Sequence, residues 1–110
     1  MHNYVQQWCD DIGVPYQDHY NPEQIAAAYH TAKKLGQLFA KFNPDMTDDV
    51  FFGHRLHNDN TLSIVMRDYA IEFRDADLIA MKAQMSRAQS LSVTKTKDDM
   101  VEMMIVFSLV

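Results

Sequence analysis

Histidine is the residue type in this chain best suited to acid–base or metal chemistry, because its side chain titrates near neutral pH. The chain has five histidines among 110 residues, and His54 and His57 lie three positions apart. Residues three apart on a β-strand point to opposite faces, so these two rings would not bind one ion together. Zinc sites usually recruit several ligands at short spacings, and Cys9 is the single cysteine. We therefore predict no metal site.

Two places are candidates for a small-molecule pocket. The first is an irregular segment between two predicted helices, which brings Tyr16, Asp18 and His19 close together in sequence, and loops on a rigid scaffold often carry binding sites. The second is His54, which strand alternation places among apolar residues on the buried face, where a neutral imidazole needs a hydrogen-bond partner. A loop anchored by tyrosines and a hydrogen-bonded core histidine are the simpler alternatives.

No catalytic motif accompanies these residues. The sequence has no phosphate-binding glycine loop and no G-x-S-x-G, H-E-x-x-H or C-x-x-C motif. Adjacent acids such as Asp48 and Asp49 fall beside predicted turns, where carboxylates are normally solvated. We predict no catalytic residue and no cofactor, so the sequence favours a protein that is not an enzyme.

The composition is that of a soluble globular domain with an acidic balance. The formal net charge is −5, and the sequence has no dense stripe of lysine and arginine to bind phosphates, so nucleic acid is an unfavoured partner. No run reaches the roughly 18 apolar residues that a membrane helix needs. The sequence starts without a secretory pattern, and one cysteine permits no intrachain disulfide. We predict one cytoplasmic domain over residues 1–110, without membrane contact.

Helical periodicity predicts two N-terminal helices on either side of the irregular segment. Apolar residues recur at helical spacing over residues 4–12 and stop at Gly13, which predicts a short first helix. Asn21 and Pro22 are typical of an N-cap and a first helical position, and a long apolar stripe follows them. The second helix is therefore predicted to be long and to end before Pro44.

Period-two alternation predicts an antiparallel sheet behind these helices. A hairpin over residues 50–66 turns at Asp59 and places Phe52 opposite Met66. An apolar residue occupies every second position from Val101 to Leu109, so we expect this final strand to be paired inside the sheet. A second hairpin places Leu91 opposite Ile105.

Two segments between the hairpins are less regular. A shift of the apolar phase after Met66 predicts a bulge or tight turn near Asp68. Residues 75–88 fit either a helix or a strand, and their alanines and the Asp75 cap favour the helix. The predicted fold class is α+β, with two N-terminal helices packed on a four- to five-stranded antiparallel sheet and a further helix near residues 75–88.

The face of the first hairpin that points away from its apolar row is a candidate interface. Protein interfaces are enriched in arginine and aromatic residues, although a solvated sheet face has a similar composition. The predicted partner-binding residues are Phe51, Arg55, His57, Ser63 and Arg67.

The final strand also carries apolar residues on its second face. These are Met104, Val106 and Val110. Such residues need a cover, which can be a further helix, a partner or a second copy of the chain. We take them as candidate self-association residues, with a homodimer as the expected product.

The absence of catalytic motifs and the candidate interface together favour a small protein that binds another protein. An inhibitor or adaptor of a larger complex, such as phages and mobile elements carry, fits this description. One alternative is a small-molecule-binding protein or simple enzyme with a pocket between the long helix and the sheet. The other is a self-associating structural subunit.

Overall fold

The computed structural model describes residues 4–42, 51–69, 75–97 and 99–110. In chain order the elements are α1 (Tyr4–Asp11), α2 (Pro22–Phe42), β1 (Phe51–Leu56), β2 (Thr61–Asp68), α3 (Asp75–Met85), β3 (Ser90–Lys95) and β4 (Val101–Ser108). The strands form one antiparallel sheet of four strands in the order β1-β2-β4-β3. The α+β prediction is confirmed.

Helix α1 ends in a motif that requires the glycine after it. Gly13 adopts a positive φ of 67°, a conformation that a side chain would strain. Its amide donates to the carbonyl of Asp10 at 3.1 Å, and the amide of Val14 donates to the carbonyl of Cys9 at 2.8 Å. These two bonds satisfy carbonyls that the helix leaves free, as in a Schellman motif. The predicted first helix therefore ends where its glycine indicates.

Helix α2 begins with the predicted cap. The side-chain oxygen of Asn21 accepts hydrogen bonds from the amides of Glu23 at 2.9 Å and Gln24 at 3.4 Å. Pro22 occupies the first helical position, where its missing N–H costs nothing. The predicted stop before Pro44 lies outside the described residues.

Both predicted hairpin registers are confirmed. Phe52 lies opposite Met66 in the first hairpin, and Leu91 lies opposite Ile105 in the second. Strand β4 is paired on both sides, by β2 and by β3, as its apolar alternation predicted. Its register with β2 is unbroken as far as Asp68, so no bulge interrupts the described part of β2. The apolar positions 71 and 73 lie outside the described residues.

The core lies between α2 and one face of the sheet, which we call the inner face. Helix α2 packs against β1, β2 and β4. Burial of apolar surface of this kind is the main stabilising term in folding. The buried inner-face residues are Leu62, Ile64 and Met66 of β2 and Met103, Ile105 and Phe107 of β4, and α2 contributes Ile25, Ala28, Leu35 and Phe39.

Helix α3 confirms the helical interpretation of its segment. It packs against α2, and its described backbone does not approach any strand closely. Met81 of α3 is buried in the core, whereas Ile79 is exposed to solvent. No helix within the described ranges has the length and apolarity that a membrane crossing requires. Because neither α2 nor α3 packs on β3 through its described residues, the inner-face residues of β3, Leu91 and Val93, are exposed.

Candidate functional site

The face of the sheet opposite α2, which we call the outer face, carries most of the predicted interface. No described helix packs on it. The strand registers align its residues in three rows across the sheet. The rows are Arg55, Ser63, Val106 and Ser90; then Gly53, Val65, Met104 and Ser92; then Phe51, Arg67, Glu102 and Thr94.

The centre of the outer face is an apolar band of Val65, Met104 and Val106, each partly exposed. Two of these three are candidate self-association residues from the sequence. The third such residue, Val110, is exposed beyond the end of β4. Because β4 is already paired on both sides, these residues cannot associate by adding a strand to β4. Any self-association through these residues would have to pack the outer faces of two copies against each other.

Arg67 is held in place on one side of this band. Its Nε and Nη2 atoms lie 3.0 and 2.9 Å from the same Oε2 atom of Glu102. Its guanidinium carbon lies 5.7 Å from the centre of the Phe51 ring, within the range of a cation–π contact. The Phe51 ring lies over Gly53, where a Cβ atom would be 2.7 Å from Phe51 Cζ. The missing side chain of Gly53 therefore allows the aromatic ring to lie against the sheet.

Arg55 differs from Arg67 because its charge is unpaired. It is exposed, and it makes no ion pair with any residue in the described part of the chain. An exposed guanidinium offers several N–H donors in a planar fork that matches a carboxylate. Arg55 is therefore available to an acidic partner group.

The turn between β1 and β2 fixes the position of His57. Asp59 accepts hydrogen bonds from Thr61 Oγ1 at 2.6 Å and from the Thr61 amide at 3.2 Å. These bonds hold the pKa of Asp59 below its usual range. Asn60 has a φ of 65°, as tight turns often require. His57 Nε2 lies 2.7 Å from Ser63 Oγ, so the ring rests on the outer face.

The five predicted interface residues all lie on the outer face, but they differ in exposure. Phe51, Arg55 and His57 are exposed, and Arg67 is half-buried. Ser63 is buried, so it supports the His57 ring and offers no contact area of its own.

His54 is exposed, so the expectation of a buried core histidine is wrong. Strand β1 is an edge strand, and the space between its inner face and α2 stays open near this residue. The resulting cleft of about 420 Å³ is lined by Asp11, Ile12, Tyr29, Ala32, Lys33, Phe52 and His54.

The structure separates the other predicted pocket residues from His54. Asp18 and His19 are exposed, and Tyr16 is partly buried against the core. The ring of His19 packs on Tyr20 at 5.1 Å between centroids. None of these residues lines the His54 cleft. The loop before α2 is therefore anchored to the core by Tyr16 and Tyr20. Tyr16, Asp18 and His19 do not share a pocket with His54.

Cys9 is fully buried in the core. Burial is the main cause that raises the pKa of its thiol, with a smaller contribution from the charge of Asp10. A buried thiol of this kind is protonated at neutral pH and packs as a small apolar side chain. Among the described residues, no group of three or more histidine, cysteine or acidic side chains is arranged to hold a metal ion.

Sequence reasoning missed Glu102 and three residues of the cleft, Asp11, Tyr29 and Lys33. Glu102 meets Arg67 only because β2 pairs with β4, and no local pattern indicates that pairing. The cleft residues come from α1 and α2 and meet β1 through tertiary packing. No family model, no curated protein and no solved structure matches this chain. A proposal of function therefore rests on the geometry of the fold.

Proposed function

We propose that this protein acts by binding another protein through the outer face of its sheet. The observation that carries the proposal is the uncovered apolar band of Val65, Met104 and Val106, bordered by the exposed Phe51 and Arg55. Protein interfaces typically have an apolar centre and a polar rim, with aromatic and arginine side chains enriched. The outer face has this composition.

The charges on the outer face favour a partner that presents a carboxylate next to an apolar side chain. Arg55 is free to bind that carboxylate, whereas Arg67 already contacts Glu102. The apolar band would receive the apolar side chain near Met104. An inhibitor or adaptor that works in the cytoplasm fits this mode of action, because such a protein needs a binding face and no catalytic group.

Quantitative affinity capture from the native source tests the proposal. Arg55→Glu reverses the charge that is free to bind and should reduce recovery of the partner at least tenfold. Arg87→Glu is the matched control, because Arg87 is also an exposed arginine but pairs with Glu23 on the helix side. Circular dichroism checks that both variants fold. Equal recovery of the partner by wild type and Arg55→Glu would contradict the proposal.

A second candidate function is binding of a small molecule in the cleft beside His54. The cleft volume of about 420 Å³ lies within the usual range of ligand pockets. Lys33 Nζ lies 5.7 Å from the centre of the Tyr29 ring, so a cation and an aromatic face occupy one wall. His54 also lines the cleft, and this arrangement suits a small carboxylate with an apolar part that binds at Lys33, away from the Asp11 carboxylate.

Thermal-shift screening with small aromatic carboxylates tests this second candidate. Stabilisation should be lost in Lys33→Ala and His54→Gln but kept in His19→Gln, a matched histidine change outside the cleft. Turnover of a bound compound that is lost in His54→Gln would identify a simple enzyme. Absence of stabilisation by any compound in wild type would exclude this class of ligand.

A further inference from the structure

Strand β3 is an edge of the sheet that leaves apolar side chains in solvent. All six of its residues are exposed. Leu91 is 48% exposed and Val93 is 59% exposed, although both point to the inner face, opposite the buried Ile105 and Met103. Helix α3 precedes β3 in the chain but packs on α2 instead of covering these residues.

The backbone of β3 also has a free edge. The amide of Thr96 donates to the carbonyl of Met100 at 2.8 Å, and hydrogen-bonded pairs alternate along an antiparallel ladder. Residues 90, 92 and 94 therefore bond to β4, whereas Leu91 and Val93 direct their N–H and C=O groups away from the sheet. Neither residue makes another hydrogen bond within the described part of the chain.

The two edges of the sheet differ in their protection. Strand β1 carries the charged Arg55 within its span, and a charged side chain is one way in which natural proteins discourage edge pairing. Strand β3 has one charged residue, Lys95, which lies at its last position and pairs with Asp99, and its residues 90–94 carry no charge and no proline. An edge strand whose central residues are uncharged and expose apolar side chains is a template for pairing with another strand.

We propose that β3 pairs antiparallel with β3 of a second copy of this chain, around a two-fold axis at Ser92. In this register Leu91 lies opposite Val93 of the second copy, and Ser90 lies opposite Thr94. Apolar side chains meet apolar ones on the inner face, and hydroxyl groups meet hydroxyl groups on the outer face, which are favourable cross-strand pairs. Each Leu91–Val93 pair exchanges both backbone hydrogen bonds.

The neighbouring symmetric register is less favourable. A two-fold axis at Val93 would place Leu91 opposite Lys95, an apolar side chain against a cation. The self-complementarity of the Ser92-centred register is the argument for a second copy over an unrelated strand. A two-fold interface uses the same patch on both subunits, so the patch must match itself.

This dimer joins the two sheets into one continuous sheet and brings the two outer faces side by side. Leu91 of each copy contacts Val93 of the other on the helix side, which reduces the exposure of both side chains. The dimer does not depend on the proposed partner, since its contacts lie along the β3 edge and not on the outer-face band. Either proposal can fail while the other stands.

Light scattering or sedimentation over a range of protein concentrations tests the dimer. Wild type should reach twice the chain mass of 12.7 kDa as its concentration rises. Leu91→Pro removes an outward N–H without removing a bond to β4, as edge strands tolerate, and Val93→Lys places cations opposite Leu91. Both variants should remain monomers, whereas Val93→Ile should dimerise as wild type does.

Cysteine cross-linking tests the register. Opposed residues at a non-hydrogen-bonded position have Cα atoms about 4.5 Å apart, which a disulfide accepts. Ser92→Cys should therefore form an intersubunit disulfide on mild oxidation, and Thr94→Cys should form far less. A wild-type chain that is monomeric at millimolar concentration would overturn the proposal. Full dimerisation of both Leu91→Pro and Val93→Lys, with circular dichroism like that of wild type, would also overturn it.

Discussion

The guanidinium of Arg67 on β2 contacts a single carboxylate oxygen of Glu102 on β4, at 3.0 Å from Nε and 2.9 Å from Nη2. The two residues are 35 positions apart and lie directly opposite each other in the sheet. The contact therefore joins the two hairpins of the chain across the outer face. It also leaves Arg55 as the outer-face arginine whose charge is available to a partner.

Removing the Glu102 charge should have a small effect on stability. The Arg67 and Glu102 side chains are 39% and 28% exposed, and ion pairs at such exposure contribute less than about 1 kcal/mol. A double-mutant cycle of Arg67→Gln and Glu102→Gln, measured by urea unfolding, should give a coupling free energy below that value. A coupling of several kcal/mol would mean that the pair is a major element of the fold.

The core under α2 should be far more sensitive than the surface of α3. Phe107 is fully buried, and Phe107→Ala should lower the free energy of unfolding by about 3–5 kcal/mol because it leaves a cavity. Ile79 is 75% exposed, so Ile79→Ala should change the same quantity by less than about 0.5 kcal/mol. Urea unfolding of both variants measures the contrast, and equal losses would contradict the described packing.

Asp59 should stabilise the fold at neutral pH and lose that effect in acid. The hydrogen bonds from the hydroxyl and amide of Thr61 lower the pKa of Asp59 below its unfolded value of about 3.9. The stabilisation is therefore complete above the unfolded pKa and disappears as the pH falls through the lower folded pKa. Thr61→Val removes the hydroxyl donor, so an NMR titration should find a higher Asp59 pKa in that variant. An unchanged pKa would contradict this role for Thr61.

Gly53→Ala should move the Phe51 ring without disrupting the strand. The added Cβ atom would meet Phe51 Cζ at 2.7 Å, and a half-exposed ring can rotate away. The Nε–H resonance of Arg67, which lies near this ring, should shift in the NMR spectrum. Gly13→Ala is the control. It strains the backbone because Gly13 has a φ of 67°, but no atom lies within 4 Å of the added Cβ, so the Arg67 signal should not change. An unshifted signal in Gly53→Ala would contradict the stacked arrangement.

Local patterns were sufficient to predict α1, α2 and the two hairpins, whereas the pattern at α3 also fitted a strand and only helix propensity favoured the helix. The cap at Asn21 and the turn at Asp59 act over a few residues, so the sequence shows them directly. The pairing of β2 with β4 joins distant segments, and no local signal predicts it. For the same reason, alternation placed His54 on the correct face of its strand but could not show that β1 is an edge strand with an open cleft beside it.

The predicted interface likewise depended partly on local alternation and partly on tertiary packing. Phe51, Arg55 and Arg67 share a face because strand alternation is local, and the sequence predicted that grouping. No described helix covers this face, because α2 packs on the inner face of the sheet and α3 packs on α2. This arrangement is tertiary, and the sequence does not show it. The contribution of Met104 to the same surface required the position of β4 in the sheet.

Radical footprinting of the protein, alone and in the complex captured from its native source, tests the central claim most directly. The proposed outer-face interface predicts that labelling of Met104 and Phe51 falls in the complex, while labelling of Ile79 and Tyr4 on the helices stays as in the free protein. Labelling of Phe51 and Met104 that is equal in both samples, with protection of the helix residues instead, would contradict it.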